Sequence, residues 1–125
     1  MRPPSPTLTP QELAIMKVVW ALKSATVREV HHHLNAARPI AYTTVLTMMR
    51  ILEQKGHVRK TRIDRAFVYR PTKPRHQVIG DMVREFVDRV FDGASRPMLL
   101  HLVRRTKLSA RERQALLRAI EEIEE

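Results

Sequence analysis

Apolar residues recur at helical spacing in the first two segments of the chain. The spacing is i, i+3 and i+7 in each, with Leu13, Met16 and Trp20 in the first segment and Val27, Val30 and Leu34 in the second. Each segment opens on a capping box, Thr9-Pro10-Gln11-Glu12 or Thr26-Val27-Arg28-Glu29, in which a hydroxyl and a carboxylate satisfy free backbone amides. We therefore predict two short helices, one ending near Leu22 and one near Asn35.

The third segment, from Ala41 to Gly56, predicts a longer helix with two different faces. Its apolar stripe consists of Val45, Met48, Met49 and Leu52, and the opposite face carries Thr43, Thr47, Arg50 and Gln54. Hydroxyl, guanidinium and amide groups can reach base edges in a DNA major groove, whereas a merely solvated face more often mixes Lys with Glu. Gly56 is expected to end the helix. The three segments together predict a helix-turn-helix whose third helix reads DNA.

After Gly56 the pattern changes to the period of β-strands. Residues 57–63 and 66–70 predict two strands joined at Asp64-Arg65, with Val58, Phe67 and Tyr69 facing the core. Basic residues crowd this hairpin and its tip, namely Arg59, Lys60, Arg62 and Arg65. Next to a recognition helix, such a hairpin is interpreted as the wing of a winged helix, which can follow phosphates or enter a minor groove. The alternative is an ordinary solvated hairpin whose charges prevent edge pairing.

Three further helices are predicted between residues 74 and 125. They run from Pro74 to about Phe91, from Ser95, and from the capping box Ser109-Ala110-Arg111-Glu112. Their apolar stripes are Ile79, Met82, Val83, Phe86 and Val90 in the first, Met98, Leu99 and Leu102 in the second, and Leu116, Leu117 and Ile120 in the third. So short a segment has little of its own to pack against, so we favour dimerisation through these residues over packing on the winged helix of the same chain.

Net charge divides the chain in the same place. Its 125 residues carry a formal charge of +10, and residues 1–75 hold 14 Lys and Arg against 4 acids, whereas residues 76–125 hold 9 of each. A basic half beside a neutral half is typical of a polyanion-binding unit joined to an assembly unit. We predict a mostly α fold with a small β-wing: a Pro-rich disordered arm (1–8), a winged helix-turn-helix DNA-binding domain (9–73) and a helical dimerisation region (74–125).

Composition excludes several other kinds of chemistry. The chain has no Cys and three Gly, which removes thiolate catalysis, Cys-based metal sites and glycine-rich phosphate loops. Consecutive helical residues point about 100° apart, so His31, His32 and His33 cannot converge on one metal ion. We expect no cofactor, no metal, no enzymatic activity and no direct membrane binding. With no membrane span or signal peptide in the sequence, a bacterial cytosolic or nucleoid location is expected.

Four segments in this order carry a resemblance to a known family: LTPQELAIMKVVW, TTVLTMMRILEQKG, RAFVYRP and VFDG. Together they resemble the penicillinase-repressor (BlaI/MecI) transcriptional regulators, which also include CopY-type copper-responsive repressors, over Leu8 to Glu122. The resemblance implies a dimer that binds a palindromic operator and represses transcription. On matching positions it implies base reading by Thr43, Thr44, Thr47 and Arg50. We assign phosphate or wing contacts to Tyr42, Gln54, Arg59, Lys60, Arg62 and Arg65.

Two departures concern the signal that releases DNA. In the β-lactam-responsive members a membrane-bound sensor protease cuts an Asn-Phe bond in the dimerisation region, and that bond aligns here with His101-Leu102. The protease is therefore a partner only if its cleavage sequence differs. Copper-responsive members with a C-terminal metal site use Cys there, which this chain lacks.

The function predicted is that of a homodimeric, sequence-specific repressor bound to double-stranded operator DNA. Two alternatives remain from the residues alone. The same charge would suit a non-specific architectural DNA-binding protein, or a basic module that docks an acidic protein.

Overall fold

The chain folds into six helices and one hairpin in the part that the structure, a computed structural model, describes, which is residues 7–124. The helices are α1 (Pro10–Leu22), α2 (Val27–Ala37), α3 (Tyr42–Gln54), α4 (Arg75–Phe91), α5 (Ser95–Arg105) and α6 (Ala110–Glu121), and the strands are β1 (Val58–Ile63) and β2 (Ala66–Pro71). They form two compact units, and the division falls inside α4, between Ile79 and Gly80. This mostly helical fold with one two-stranded sheet is the predicted fold class.

Three helices begin at the capping boxes that the sequence predicts. In α1, the Thr9 hydroxyl accepts from the Glu12 amide, and the Glu12 carboxylate accepts from the Thr9 amide at 2.8 Å. The same reciprocal bonds join Thr26 with Glu29 at α2 and Ser109 with Glu112 at α6. At α6, these bonds from Ser109 also hold the pKa of Glu112 below its usual value. Local sequence therefore fixes where these helices start.

The core of the first unit differs from the sequence prediction along α1. Ile15, Met16 and Val19 are fully buried there, whereas Leu13 and Trp20, which the spacing placed inward with Met16, are half-buried. The helix is apolar on nearly every side, so its spacing does not single out one face. The other fully buried apolar side chains of this unit come from α2, α3 and the segment before α2, namely Ala25, Val30, Val45, Met49 and Leu52.

The segment between α1 and α2 pairs with the hairpin through a single antiparallel β-bridge. β1 and β2 pair antiparallel, with Val58 opposite Pro71 and Ile63 opposite Ala66. Ala25 then pairs with Tyr69 of β2 through two backbone hydrogen bonds of 3.0 and 2.8 Å. The base of the hairpin is thereby fastened to the helices.

The N-terminal arm is described only in part. Residues 1–6, most of the predicted disordered arm, lie outside the described residues. Leu8, which the prediction included in the arm, is buried in the core.

The second unit consists of the last part of α4 with α5 and α6. Arg96, in the first turn of α5, donates to the backbone carbonyl of Ile120 at 3.4 Å and to that of Ile123, at the end of α6. The carbonyl end of α6, which carries a partial negative charge, thus receives a cation from the neighbouring helix. No helix within residues 7–124 is long and apolar enough to cross a membrane.

Candidate nucleic-acid interface

The outer face of α3 is exposed among the described residues. Thr43, Thr47, Arg50 and Gln54 are all exposed, while Val45, Met49 and Leu52 are buried. The Thr47 hydroxyl donates to the Thr43 carbonyl at 2.9 Å, which leaves its oxygen lone pairs directed outward as acceptors. Arg50 forms no ion pair within residues 7–124. Thr44, the fourth predicted base-reading residue, is half-buried on the edge of this face.

The end of α3 has the geometry that its sequence predicts. Gly56 has a φ of 82°, in the left-handed region that glycine adopts without strain. The amide of His57 donates to the Leu52 carbonyl at 2.9 Å, and that of Gly56 to the Glu53 carbonyl at 3.0 Å. These two bonds form a Schellman motif, so α3 ends at Gln54, with three residues between it and the start of β1 at Val58.

The start of α3 is held by two side chains of α2, a role that the sequence did not predict for either. The N-cap, Ala41, provides no side-chain hydrogen bond. Instead, Asn35 Oδ1 accepts from the Ile40 amide at 3.1 Å, and His31 Nε2 lies 2.8 Å from the Ile40 carbonyl oxygen. The His31 ring also packs edge-on against Tyr42, with ring centroids 5.7 Å apart. The turn between α2 and α3 therefore has a defined shape, and His31 is a packing residue, not a solvated one.

A buried ion pair connects the end of α3 to the start of α1. Lys55 Nζ lies 2.8 Å from Glu12 Oε1 and 3.3 Å from the Thr7 carbonyl oxygen, and the two charged side chains are 8% and 2% exposed. Burial alone would raise the pKa of Glu12, but hydrogen bonds from Lys55 and Thr9, with the charge of Lys55, hold that pKa below its usual value. The sequence revealed only the capping role of Glu12, because its cation lies 43 residues away.

The basic residues of the wing divide between two faces. Lys60 and Arg62 lie on the face of β1 that begins with buried Val58, whereas Arg59 alternates to the other face and Arg65 lies in the turn. The prediction that Phe67 faces the core is wrong, because this side chain is 49% exposed. Phe67 does share a face with buried Tyr69, but the hairpin extends beyond the core at this point, so its ring meets solvent.

Cations flank the exposed ring of the wing. Lys60 Nζ lies 4.6 Å from the centroid of the Phe67 ring, and Arg62 Cζ lies 6.0 Å from it. Both distances are within the range of a cation–π interaction. Lys60 Nζ also lies 3.9 Å from Glu53 Oε1 on α3, a partly exposed pair. The cationic face of the wing is therefore the one beside α3.

The predicted dimerisation residues differ in their exposure within one chain. The large apolar side chains that are 42–54% exposed are Val83, Phe86, Val90, Leu102 and Leu116. Ile79, Met82, Met98, Leu99 and Leu117 are half-buried, and Ile120 is buried. Leu99, Leu102, Leu116 and Ile120 line an open apolar groove of about 330 Å³ between α5 and α6. Among the described residues, no three His, Asp or Glu side chains are arranged to hold a metal ion.

Comparison with known proteins identifies the family to which this chain belongs. The family model for the penicillinase repressor matches residues 8–122. The chain belongs to the penicillinase repressor family. This family consists of transcriptional repressors, which are not enzymes, and membership confirms the resemblance inferred from the four sequence segments.

Individual members of the family match along most of their length. The chain is 37% identical over 115 residues to the transcriptional regulator BlaI of Mycobacterium tuberculosis, which covers 90% of this chain and 82% of that protein. It is 29% identical over 117 residues to the penicillinase repressor of Bacillus licheniformis, covering 94% and 91%. A solution structure of the DNA-binding domain of the repressor BlaI matches with a TM-score of 0.52 and 30% identity, over 59% of this chain and 90% of that domain. These matches confirm the winged-helix fold class.

Proposed function

We propose that this protein is a homodimeric transcriptional repressor that binds a palindromic DNA operator, inserting α3 into the major groove and placing the wing beside it. The observation that carries the proposal is the outer face of α3, where Thr43, Thr47, Arg50 and Gln54 are exposed together. The one acidic residue of α3, Glu53, lies on its flank, with Oε1 3.9 Å from Lys60 Nζ. The likeness of 59% of this chain to the DNA-binding domain of the repressor BlaI supports the same role.

In this proposal the face of α3 reads bases through three kinds of group. The Arg50 guanidinium can donate two hydrogen bonds to the O6 and N7 atoms of one guanine. Because the Thr47 hydroxyl already donates to the Thr43 carbonyl, its oxygen suits an amino donor such as cytosine N4 or adenine N6. Thr44, on the edge of the face, contacts bases through its methyl or hydroxyl group.

Phosphate contacts fix the register of the helix in the groove. We assign them to Tyr42 and Gln54 on α3 and to the basic side chains of the wing, Arg59, Lys60, Arg62 and Arg65. Each cation that neutralises a phosphate releases a counterion, so affinity should fall steeply with salt concentration. The neutral second unit takes no part in this electrostatic attraction.

The second unit is proposed to join two chains. It carries five exposed large apolar side chains and an apolar groove between α5 and α6, and apolar surface gathered in this way is typical of protein–protein interfaces. A symmetric dimer buries this surface and presents two α3 helices to the two halves of a palindrome.

The test is selection of bound duplexes from a random DNA pool by the full-length protein, followed by equilibrium binding at 0.15 M salt. The proposal expects an enriched palindrome bound at least about a thousandfold more tightly than random duplex. Equal affinity for both duplexes would instead identify a non-specific architectural protein. Failure to bind any duplex would favour a module that docks acidic proteins.

A further inference from the structure

An open cleft of about 610 Å³ lies between the start of α2, the start of α3 and the wing. Two aromatic rings that are close to half-exposed, Tyr42 and Phe67, stand in its walls, together with the side chains of Arg28 and Arg65. Neither arginine forms an ion pair in the described part of the chain. The cleft thus combines apolar rings with unpaired guanidinium groups, and it adjoins the outer face of α3.

The position of the cleft relative to α3 indicates what would enter it. Tyr42 and Leu46 lie on the flank of α3 next to its outer face, and both line the cleft. An α-helix with its side chains is about 10–12 Å across, close to the roughly 12 Å width of a DNA major groove. The sugar–phosphate strands that border the groove must therefore pass along the flanks of an inserted helix. One of these flanks faces the wing.

We propose that this cleft grips one sugar–phosphate strand of DNA, with Arg28 and Arg65 on its phosphates and Phe67 packed against a deoxyribose. The inference rests on the proposed function and deepens it, since it adds Arg28 and Phe67 to the interface. A deoxyribose offers apolar C–H surface between two charged phosphates, which matches an apolar ring with cations close to it.

In this arrangement the exposed Phe67 ring positions the cations beside it. The ring is 49% exposed near the tip of the hairpin, and it lies beneath the Lys60 ammonium at 4.6 Å and near the Arg62 guanidinium at 6.0 Å. The ring limits where both cations can move, so less side-chain freedom is lost when they meet phosphates. None of these contacts depends on a base. Loss of Phe67 should therefore weaken binding to every duplex by the same factor.

The opposite face of the wing supplies a matched control. Ile63 is 44% exposed, similar to Phe67, but lies on the face that alternation turns away from Lys60 and Arg62. We would compare Phe67→Ala with Ile63→Ala in the full-length protein, on the duplex selected by the wild type and on a random duplex. Phe67→Ala should bind both duplexes about tenfold more weakly, while Ile63→Ala binds like the wild type. Phe67→Leu, which keeps apolar surface, should recover most of the affinity.

Charge in the cleft is tested separately through the salt dependence of binding. Arg28→Gln should weaken binding to both duplexes and reduce the slope of log K against log salt by about one, because one phosphate contact is lost. Lys17→Gln, which removes one exposed charge from α1, should leave the slope unchanged. Phe67→Ala should also keep the wild-type slope, since it removes no charge.

Three results would overturn the inference. These are equal effects of Phe67→Ala and Ile63→Ala, a change in base preference with Phe67→Ala, or an unchanged salt slope with Arg28→Gln. Arg28 is exposed on the surface of α2, so its variant keeps the test valid even if Phe67→Ala lowers the melting temperature. Failure of the proposed function would be recognised by the absence of DNA binding in the wild type, and the inference would then fall with it.

Discussion

Lys55 Nζ and Glu12 Oε1 lie 2.8 Å apart in the interior of the first unit, joining the last turn of α3 to the first turn of α1. The pair is buried, so its members lose their hydration and depend on each other. Glu12 is at the same time the last residue of the α1 capping box. One carboxylate therefore sets where α1 begins and holds the end of the helix that we assign to DNA reading.

Removal of one partner of this pair should be strongly destabilising. We expect Lys55→Met to lower the free energy of unfolding by about 3 kcal/mol, because the Glu12 carboxylate is left buried without its cation. The double variant Glu12→Gln with Lys55→Met should be more stable than Lys55→Met alone. Urea unfolding of the full-length protein measures both effects.

The capping role of Glu12 can be separated from its ionic role by a matched variant. Glu29 occupies the same capping position in α2 but is exposed and has no cation partner among the described residues. Glu29→Gln should therefore lower the free energy of unfolding less than Glu12→Gln does. The difference between the two losses measures the contribution of the ion pair. Equal losses of stability in the two variants would show that the ion pair with Lys55 adds nothing to the capping role of Glu12.

The lowered pKa of Glu12 predicts how stability depends on pH. Since the folded pKa lies below the unfolded value near 4.5, the folded state binds fewer protons, and the pair stabilises the protein fully above that value. This contribution should be lost as pH falls from about 4.5 through the lower folded pKa. Urea unfolding between pH 3 and 7 should show a weaker acid-dependent loss in Glu12→Gln than in the wild type. Parallel curves would mean that Glu12 is not the titrating group.

The apolar surface of the second unit predicts an effect on assembly. Phe86 is exposed on α4, so Phe86→Asp should place a charge in the proposed dimer interface and shift the equilibrium to the 14.6 kDa chain. Sedimentation equilibrium measures the mass, and Phe86→Leu, which preserves apolar surface, should remain dimeric. Loss of the dimer should also weaken operator binding, because the two half-sites are then bound separately. A dimeric Phe86→Asp protein would exclude this face from the interface.

The wing predicts a sequence-independent contribution to affinity. Lys60→Gln and Arg62→Gln should each weaken binding to operator and random duplex alike and make the salt slope shallower by about one. Fluorescence anisotropy titrations over a range of salt concentrations give the slope. An unchanged slope in both variants would remove the wing from the phosphate interface.

The sequence predicted structure correctly where the signal lies within a few neighbouring residues. A capping box spans four residues and the glycine after α3 acts on the adjacent turn, so both could be recognised without knowledge of the fold. Phe67 marks the limit of such reasoning. Strand alternation predicted its face correctly, together with Tyr69, but the point at which a strand leaves the core depends on how far the neighbouring helices reach.

Contacts between distant parts of the chain could not be predicted. The Glu12–Lys55 pair, the bridge between Ala25 and Tyr69, and the cleft around Phe67 all need the folded arrangement of several elements. His31 shows the same limit. Its packing against Tyr42 follows from the turn between α2 and α3, and its place in a run of three histidines does not reveal that contact.

The proposal that α3 reads DNA bases is tested most directly through Arg50. Binding of the wild type and of Arg50→Ala should be measured against the selected operator and against variants of it with each base pair changed in turn. We predict that Arg50→Ala weakens operator binding and loses about 1–3 kcal/mol of discrimination at one guanine in each half-site, with other positions unaffected. Uniform weakening at every position would contradict the account, because it would make Arg50 a phosphate contact.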